Sequence, residues 1–189
     1  VVLADGTTNT LTDGTTTTLS DKGALFANDT LEISGGGTLK VTGNRQHAIS
    51  SDDDIILESG TVVVTNAVKD AFHANDDITV KGGTVTVQNA GSDALESEAT
   101  VNIAGGTLNL TCPAGNALKA ATSYSGTGGT INVYSSDNGV KGDSSVNISG
   151  GDYNIVCANN AVKSDLLVDV SGGTFKINSS ADGIKSYSL

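Results

Sequence analysis

Acidic side chains recur along the chain and supply oxygen atoms that could bind a metal ion. Carboxylates without a sulfur or imidazole ligand among them suit Ca²⁺, which takes six to eight oxygens including carbonyl groups and water. The DxDxDG spacing of an EF-hand loop is absent. The sequence therefore predicts Ca²⁺ as a cofactor, and an acidic edge exposed to solvent is the alternative. The predicted metal ligands are Asp52, Asp53, Asp70, Asp76, Asp93 and Glu96.

Basic side chains form a second recurring set, with one charged or imidazole side chain per repeat. Stacked lysines about 4.8 Å apart would repel one another unless carboxylates or an anionic ligand lay among them. One interpretation is a basic strip that binds an acidic, uronic-acid-containing polysaccharide. The other is a charge ladder neutralised by Asp143 and Asp165, each of which follows a lysine by two residues. The predicted substrate-binding residues are Lys119, Lys141, Lys163 and Lys185, which continue a column begun by His73 and Glu96.

A sequence repeat of 23 residues, which shortens to 22 near the end of the chain, positions these side chains. Its first marker is the second glycine of a Gly pair, although the first copy lacks the other glycine. Its second marker is Asp or Asn followed by a small, an apolar and a polar residue. Self-similarity at this period is typical of solenoid proteins. The marker residues are Gly60, Gly83, Gly106, Gly129, Gly151 and Gly173, and Asp70, Asp93, Asn116, Asn138, Asn160 and Asp182.

The hydrophobic pattern within each repeat indicates the kind of solenoid. Ile78 and Val80, and then Val85 and Val87, are two positions apart and separated by threonines. This spacing predicts strands, and no window has the apolar stripe of a helix. Three short strands per repeat, joined by Asn-Asp and Gly-Gly corners, predict an all-β parallel β-helix of about seven coils. The glycines would serve corners that need positive φ or close backbone approach. A leucine-rich repeat is the alternative, but its LxxLxL frame is absent.

Composition favours one elongated, acidic domain over residues 1–189. The chain has 189 residues, 24 of them Gly, and a net charge of −11, so nothing indicates a nucleic-acid partner. No apolar run approaches the length of a membrane span. Residues 1–21 are interpreted as an incomplete opening coil with a Thr-rich turn, and residues 22–189 as the repeated coils. Because the chain lacks an initiator Met and a signal sequence, we expect a processed product or a fragment whose coils continue beyond both ends.

The cysteines provide a test of the predicted stacking. Cys112 and Cys157 fall in one inward column with Ser135 between them. Their separation of two coils, roughly 9.6 Å, exceeds the span of a disulfide. We therefore expect two buried, reduced thiols. No catalytic residue is predicted, because neither His47 nor His73 lies in a coil near a cysteine and no Ser-His-Asp arrangement is indicated.

One coil departs from the pattern of the others. Where the preceding coil has Val101 and Ile103, this coil has Tyr124 and Gly126. We expect a bulged or displaced side here, either a loop or a small surface depression. Tyr134 and Tyr187 are expected to point outwards, with Tyr124 as a further candidate, but no platform of stacked aromatic residues is indicated. Binding of a polysaccharide should then be electrostatic and sensitive to salt.

The repeat as a whole resembles a known family. The resemblance is carried by NTLTDG at 9–14, the coil ALFANDTLEISGGGTLKVTG at 24–43, and the Asp-(Ala/Gly)-apolar-(His/Lys) motif followed by Asp or Asn and a Gly-Gly corner. These residues resemble the secreted clostridial carbohydrate-binding β-helix proteins, which are similar in fold to the family 9 pectate lyases. The resemblance implies a right-handed β-helix, Ca²⁺ at coil corners, an extracellular or cell-surface location and binding of plant-wall or acidic polysaccharide. The chain departs from the family at Asn116, Asn138 and Asn160, where the family has Asp.

Three functions are open at this point. The first is a non-catalytic, Ca²⁺-stabilised module that binds a uronic-acid-containing or cellulose-like polysaccharide. The second is a polysaccharide lyase, because pectate lyases of similar fold use Ca²⁺ and a lysine base, for which Lys119, Lys141 or Lys163 is the candidate. The strongest acidic cluster lies in the early coils and these lysines in the late ones, which argues against catalysis. The third is a structural subunit that stacks end to end into an extracellular fibre.

Overall fold

The protein is a parallel β-solenoid of about seven coils with three strands per coil, as the sequence predicts. The structure is a computed structural model that describes residues 1–15 and 22–188, and within these ranges no helix is present, so none could cross a membrane. Most of the predicted Thr-rich turn falls in residues 16–21, outside the described ranges. The strands are β1 (Val2–Leu3), β2 (Thr8–Thr12), β3 (Gly23–Ala27), β4 (Leu31–Gly35), β5 (Thr38–Gly43), β6 (His47–Ser51), β7 (Ile55–Leu57), β8 (Thr61–Ala67), β9 (Phe72–Ala74), β10 (Ile78–Val80), β11 (Thr84–Val87), β12 (Leu95–Ser97), β13 (Thr100–Ile103), β14 (Thr107–Cys112), β15 (Leu118–Ala120), β16 (Ser123–Ser135), β17 (Val140–Gly142), β18 (Ser145–Cys157), β19 (Val162–Ser164), β20 (Leu167–Val170), β21 (Thr174–Ser179) and β22 (Ile184–Lys185).

The strands line three faces that run along the solenoid. Face A contains β1, β4, β7, β10, β13, the first parts of β16 and β18, and β20. Face B contains β2, β5, β8, β11, β14, the second parts of β16 and β18, and β21. Face C contains β3, β6, β9, β12, β15, β17, β19 and β22. Faces A and B belong to one sheet because β16 and β18 each continue through the corner between them.

Equivalent residues of successive coils pair in parallel, which confirms the predicted stacking. Val62 pairs with Val85, and Val85 pairs with Leu108, each partner lying 23 residues further along the chain. In the later coils the offset is 22 residues, as in the pair of Val140 with Val162. Along strands such as β11 and β14, buried apolar side chains alternate with more exposed polar ones. Alternate positions of a strand point to opposite faces, so the apolar positions form continuous columns inside the solenoid.

The glycine markers form the corner between faces A and B. All six predicted glycines have a positive φ, between 76° and 99°. A side chain at Gly83 would in addition overlap the carbonyl oxygen of Gly60 in the preceding coil. Glycine is favoured by both conditions, because it has no Cβ and adopts positive φ without steric cost. The predicted role of the glycines at tight corners is therefore confirmed.

The coil that contains β16 confirms one prediction and corrects another. β16 pairs with both neighbouring coils, and the register of its pairing with β18 shifts between Gly126 and Thr130, as at a β-bulge. Tyr124 is fully buried at the position equivalent to Val101. Gly126, at the position equivalent to Ile103, leaves the space that the larger ring needs. In that space the hydroxyl groups of Tyr124 and Tyr153 lie 3.0 Å apart. The predicted bulge is therefore present, whereas the outward position considered for Tyr124 was wrong, because the missing side chain of Gly126 makes room for the ring inside the solenoid.

Both cysteines are free and buried, as predicted. Cys112 and Cys157 pair with Ser135 from opposite sides, so they are two coils apart. The Cys112 Sγ donates a hydrogen bond to the carbonyl oxygen of Ser92 at 2.7 Å. Burial raises the pKa of the Cys112 thiol to about 11 and also raises the pKa of Cys157. The two side chains therefore act as small core residues.

We expect neither thiol to react with Ellman's reagent in the native protein and both to react once the chain is unfolded in guanidinium chloride. The thiolate is the reactive form, and a raised pKa together with burial keeps its population low. The absorbance of the released chromophore counts the reactive thiols in each state. Rapid reaction of one thiol in the folded protein would show that this part of the core is open to solvent.

Candidate functional site

The six predicted metal ligands separate into two groups on opposite sides of face C. One group lies at the corner that leads from face B into face C, where ligand atoms of Asp70, Asp93 and Glu96 are within 4.8 Å of one another. The structure brings these three residues together, as a metal site would require. The other group lies at the solvent-accessible corner that leads from face C to face A. It contains Asp52, Asp53 and Asp76.

A buried ladder of Asp and Asn side chains runs along the corner between faces B and C. Asp70 Oδ1 accepts a hydrogen bond from the backbone N–H of Asp93 at 2.7 Å, and Asp93 Oδ1 accepts one from Asn116 at 2.7 Å. Later in the ladder the amides also bond to one another: Asn138 Nδ2 donates to Asn116 Oδ1 at 2.8 Å, and Asn160 Nδ2 donates to Asn138 Oδ1 at 3.1 Å. Each side chain therefore satisfies a buried backbone group of the next coil, which would be costly to leave unpaired.

This ladder was not predicted, although the sequence carries a signal for it. The second marker position holds Asp in some coils and Asn in others. A side-chain oxygen that accepts a backbone hydrogen bond is common to both residue types, whereas a negative charge is not. The departures from the family at Asn116, Asn138 and Asn160 form the part of the ladder in which the amide side chains bond to one another. Binding of a metal is therefore not needed to explain the marker.

A charged network lies beside the ladder on the outer surface of face C. Asp70 Oδ2 is 2.9 Å from His47 Nδ1 and 3.6 Å from His73 Nδ1. His73 Nδ1 is also 3.1 Å from Glu96 Oε2. The other oxygen of Glu96 accepts a hydrogen bond from Lys119 Nζ. The network therefore connects four successive coils through side chains of opposite charge.

The protonation states follow from these contacts. Hydrogen bonds with Asp70 and Glu96 raise the pKa of His73 to about 9, so its ring is protonated at neutral pH. Burial alone would raise the pKa of Asp70, but its contacts with both histidines hold that pKa well below its usual value. Burial alone would lower the pKa of Lys119, but its hydrogen bond with Glu96 and the charge of Asp93 raise it. The carboxylates of the network are thus neutralised by cations of the same chain.

Like charges stack at the corner between faces C and A. Asp29, Asp53 and Asp76 occupy equivalent positions in successive coils. Desolvation and the neighbouring carboxylates, chiefly that of Asp29, raise the pKa of Asp53. Asp52 forms an ion pair with Lys22. Within the described residues, no three carboxylates of this corner come within 4.8 Å of one another.

The two corners differ in how they would suit Ca²⁺. An ion at the inner corner would have to displace Lys119 and His73, which already bind the carboxylate oxygens there. The outer corner has carboxylates that water can reach, and water can complete a shell of six to eight oxygens. Binding there would also relieve the repulsion that raises the pKa of Asp53. The donor chemistry therefore fits Ca²⁺ better at the outer corner, provided that the carboxylates move closer together.

The predicted lysine column lies on the outer surface of face C. Two of its lysines have the carboxylate partners that the sequence predicts: Lys141 Nζ is 2.8 Å from Asp143 Oδ1, and Lys163 Nζ is 3.5 Å from Asp165 Oδ1. The side chains of these aspartates are 41% and 59% exposed. Such surface pairs contribute at most about 1 kcal/mol each, so a ligand can exchange for the aspartate. The column consists of Lys119, Lys141, Lys163 and Lys185.

Face B carries two shallow grooves on its outer surface in the later coils. One groove of about 310 Å³ is lined in part by Pro113, Tyr134 and Val156. Tyr134 is 60% exposed, which confirms its predicted outward position. The second groove, of about 330 Å³, includes Asn132 and Asn154 in its lining. Face B therefore combines an exposed aromatic ring with neighbouring amide groups.

Comparison with known proteins assigns the family. Residues 1–183 match a family described as "Carbohydrate-binding domain-containing protein". The chain belongs to this family. This match confirms the predicted resemblance to carbohydrate-binding β-helix proteins. It also supports, in general terms, a polysaccharide as the partner of this carbohydrate-binding family member. A comparison with curated protein sequences finds no match.

A solved structure shares the fold of this carbohydrate-binding family member. It is titled "Structure of the polysaccharide lyase-like protein from C. thermocellum, Gadolinium derivative" and is 23% identical in sequence, with a TM-score of 0.66. The similarity covers 92% of this chain and 66% of that chain. The present chain therefore spans just under two thirds of the length of the similar structure. At 23% sequence identity, the similarity shows a shared fold and nothing further.

Proposed function

We propose that the protein binds an extended, acidic polysaccharide outside the cell without cleaving it. The observation that carries this proposal is the in-register column of lysines on face C. One ammonium group per coil, repeated about every 4.8 Å, offers regular contacts to a linear polymer with an anionic group on its sugar units. A uronic-acid-containing polysaccharide has this chemistry. The extracellular location is supported by the resemblance to secreted proteins.

Three of the four lysines are suited to contact a ligand. Lys119 is held by Glu96 and lies 3.3 Å from the buried Asp93, so its charge is already compensated on two sides. Lys141 and Lys163 are paired with exposed aspartates only. Lys185 lies 3.7 Å from an aspartate that is 59% exposed. The ligand would therefore follow the last three lysines, with Lys119 in a structural role.

Binding without cleavage is proposed because the lysine nearest the acidic cluster, Lys119, does not have the environment of a general base. A base that removes a carbon-bound proton needs a pKa near the working pH, and for lysine this means a lowered pKa. Lys119 is the member of the column nearest the acidic cluster, and its pKa is raised. Lys141 and Lys163 lie one and two coils further from that cluster. This separation agrees with the sequence argument against a lyase.

A neutral, cellulose-like polysaccharide is the second candidate ligand, and a different surface favours it. The exposed ring of Tyr134 lies on face B, flanked by Val156, and the amides of Asn132 and Asn154 lie on the same face. An aromatic ring presents an apolar surface with a polar edge, and amides both donate and accept hydrogen bonds. This combination matches the alternating apolar and hydroxyl surfaces of a neutral sugar. The two candidate ligands can therefore be separated by mutating one face at a time.

The triple variant Lys141→Gln/Lys163→Gln/Lys185→Gln is expected to bind polygalacturonate about tenfold more weakly than the unmodified chain. Each lost contact between exposed charges removes up to about 1 kcal/mol, and about 1.4 kcal/mol corresponds to a factor of ten. Added salt should weaken binding by the unmodified chain and have less effect on the variant. Affinity electrophoresis in gels that contain polygalacturonate or a neutral glucan measures both affinities.

The variant Tyr134→Ala serves as the matched control on face B. It is expected to leave binding to polygalacturonate unchanged and to weaken binding to the neutral glucan, if that polymer binds. Equal binding of polygalacturonate by the triple variant and the unmodified chain would contradict the lysine column as the binding surface. Ultraviolet absorbance of unsaturated uronates in the same samples measures cleavage, and a steady increase would overturn the proposal of a non-cleaving protein.

Stabilisation by Ca²⁺ at the outer corner is part of the same proposal. Asp52, Asp53 and Asp76 are the proposed ligands there. An ion that binds only the folded chain raises the midpoint of thermal unfolding with its concentration. The midpoint is therefore expected to rise when Ca²⁺ is titrated into chelator-treated protein, and a constant midpoint would leave this corner as an acidic edge.

End-to-end stacking into a fibre is the alternative function. Strand edges of a solenoid can pair with another copy through their free backbone groups. Electron microscopy of the purified chain, with and without chelator, would show filaments if this alternative holds and separate particles if it does not.

A further inference from the structure

The two histidines of the chain lie face to face in adjacent coils. The ring centroids of His47 and His73 are 4.3 Å apart and their planes are inclined by 19°. His47 takes the marker position in the coil that precedes Asp70, and His73 takes the outward position of face C one coil later. The Nδ1 atoms of both rings face the same oxygen, Oδ2 of Asp70. The sequence pattern indicated carboxylates without an imidazole ligand among them, whereas the fold brings two imidazole rings to Asp70.

Three ligand atoms, one each from His47, Asp70 and His73, lie within 4.8 Å of one another, which is the spacing of a small metal site. Asp70 Oδ2 is 2.9 Å from His47 Nδ1 and 3.6 Å from His73 Nδ1. His73 Nδ1 is 3.1 Å from Glu96 Oε2. In a tetrahedral Zn²⁺ site with bonds of 2.0–2.1 Å, neighbouring ligand atoms are about 3.3 Å apart. The measured separations lie on both sides of this value, so only small side-chain movements are needed to surround an ion.

The orientation of the His47 ring supports binding of one ion by these ligand atoms. His47 is only 8% exposed, and its Nδ1 is buried. Although this nitrogen is 2.9 Å from Asp70 Oδ2, it makes no hydrogen bond of normal geometry within the described part of the chain. Two ligands of one metal ion have this arrangement: they lie at contact distance, but each points at the ion and not at the other ligand. A buried polar atom left in this way needs a specific explanation.

We propose that this cluster binds one transition-metal dication of the Zn²⁺ type. Imidazole nitrogen with carboxylate oxygen is a ligand set for borderline metals, whereas Ca²⁺ prefers oxygen alone. The site takes one histidine from β6, one from β9 and the carboxylate of Asp70 just before β9, so the ion would join two successive coils. The side chains of His73 and Glu96 are 17% and 20% exposed, which gives the ion access from face C. The protein ligands are His47 Nδ1, Asp70 Oδ2 and His73 Nδ1, and a water molecule would complete the tetrahedron.

The surrounding charges are compatible with the proposed ion. Lys119 binds Oε1 of Glu96 and lies near Oδ2 of Asp93, so neither its ammonium group nor these two oxygens belong to the proposed ligand set. Asp70 keeps its Oδ1 in the ladder and offers only Oδ2. The ion would replace the proton that His73 carries between Asp70 and Glu96, because a metal-ligating histidine must offer a free nitrogen. Neither the ladder nor the Lys119 contacts need to be broken.

Isothermal titration of untagged, metal-free protein with Zn²⁺ is expected to show one site per chain that a chelator empties. Co²⁺ used in its place should give the strong visible absorption of a four-coordinate ion. The midpoint of thermal unfolding should rise with Zn²⁺ concentration. An excess of Ca²⁺ should not displace either probe. Absence of Zn²⁺ uptake by the folded, metal-free chain would overturn the proposal.

The variant His73→Lys is the sharpest test, because lysine occupies the equivalent position in four later coils and the fold accepts it there. It is expected to weaken Zn²⁺ binding by at least about 100-fold, the upper end of what the loss of a secondary metal partner costs. His47→Gln should do the same, and Asp53→Asn at the outer corner should have no effect. Circular dichroism verifies that each variant is folded. Unchanged Zn²⁺ affinity in folded His73→Lys would refute the site.

Discussion

Replacing Gly126 with alanine is expected to lower the free energy of unfolding by about 2 kcal/mol. A Cβ atom at this position would overlap the hydroxyl group of Tyr153 and lie 3.0 Å from a ring carbon of Tyr124. Neither ring can move freely, because Tyr124 is fully buried and Tyr153 stacks on Phe175 with centroids 4.9 Å apart. Denaturant unfolding followed by circular dichroism measures the change, as a shift of the midpoint at constant slope.

Gly183→Ala is the matched control for this substitution. The nearest atom to a Cβ at Gly183 is 4.0 Å away, and the equivalent residue of the preceding coil is Ala161. A change of less than about 0.5 kcal/mol is expected there. Tyr153→Phe removes the hydroxyl group that overlaps, so its effect and that of Gly126→Ala should not add in the double variant. Strict additivity would show that the two side chains do not share the space.

Replacing Asn138 with alanine is expected to destabilise the fold by about 3 kcal/mol. Asn138 is 3% exposed and stands in the middle of the buried ladder. Its amide nitrogen donates to Asn116 Oδ1 at 2.8 Å, and its oxygen accepts from both the backbone and the side chain of Asn160 at 3.2 and 3.1 Å. Alanine would leave these buried groups without partners, and each unsatisfied group costs about 1–3 kcal/mol. The same unfolding measurement applies.

Asn132→Ala removes a comparable amide from a ladder that is only partly buried. Asn132 Nδ2 donates to Asn109 Oδ1 at 2.9 Å on the outer surface of face B. Water can replace this bond, so a loss of less than about 1 kcal/mol is expected. Equal destabilisation by Asn138→Ala and Asn132→Ala would show that burial does not strengthen the role of the inner ladder.

The fold could be predicted because each repeat states the same pattern. Apolar residues two positions apart, as at Val85 and Val87, indicate a strand, and glycines such as Gly83 mark a corner whose φ is positive. The substitution of Val101 by Tyr124 could not be judged from its own position. Its ring is accommodated by the missing side chain of Gly126, two residues later and on the same inner side. Packing compensation of this kind depends on side-chain volumes in neighbouring coils, which periodicity does not describe.

The candidate site was predicted in part. The register of the lysine column and the pairs of Lys141 and Lys163 with nearby aspartates followed from the repeat alone. The meeting of His47 with His73 did not, because His47 stands in a degenerate coil and occupies the marker position instead of the outward one. The direction in which a side chain leaves a corner depends on the bend of the backbone, so its neighbours on the adjoining strand are not fixed by spacing.

The outward position of face C has a consequence for engineering. Strands β9, β12, β15, β17 and β19 are three residues long, with the outer two side chains buried and the central one partly exposed. The central residue already varies from histidine to glutamate to lysine without a change in the strands around it. Designers can therefore choose the order of charges along this line, one per coil, and use the solenoid as a rigid scaffold that displays any desired pattern of side chains about 4.8 Å apart.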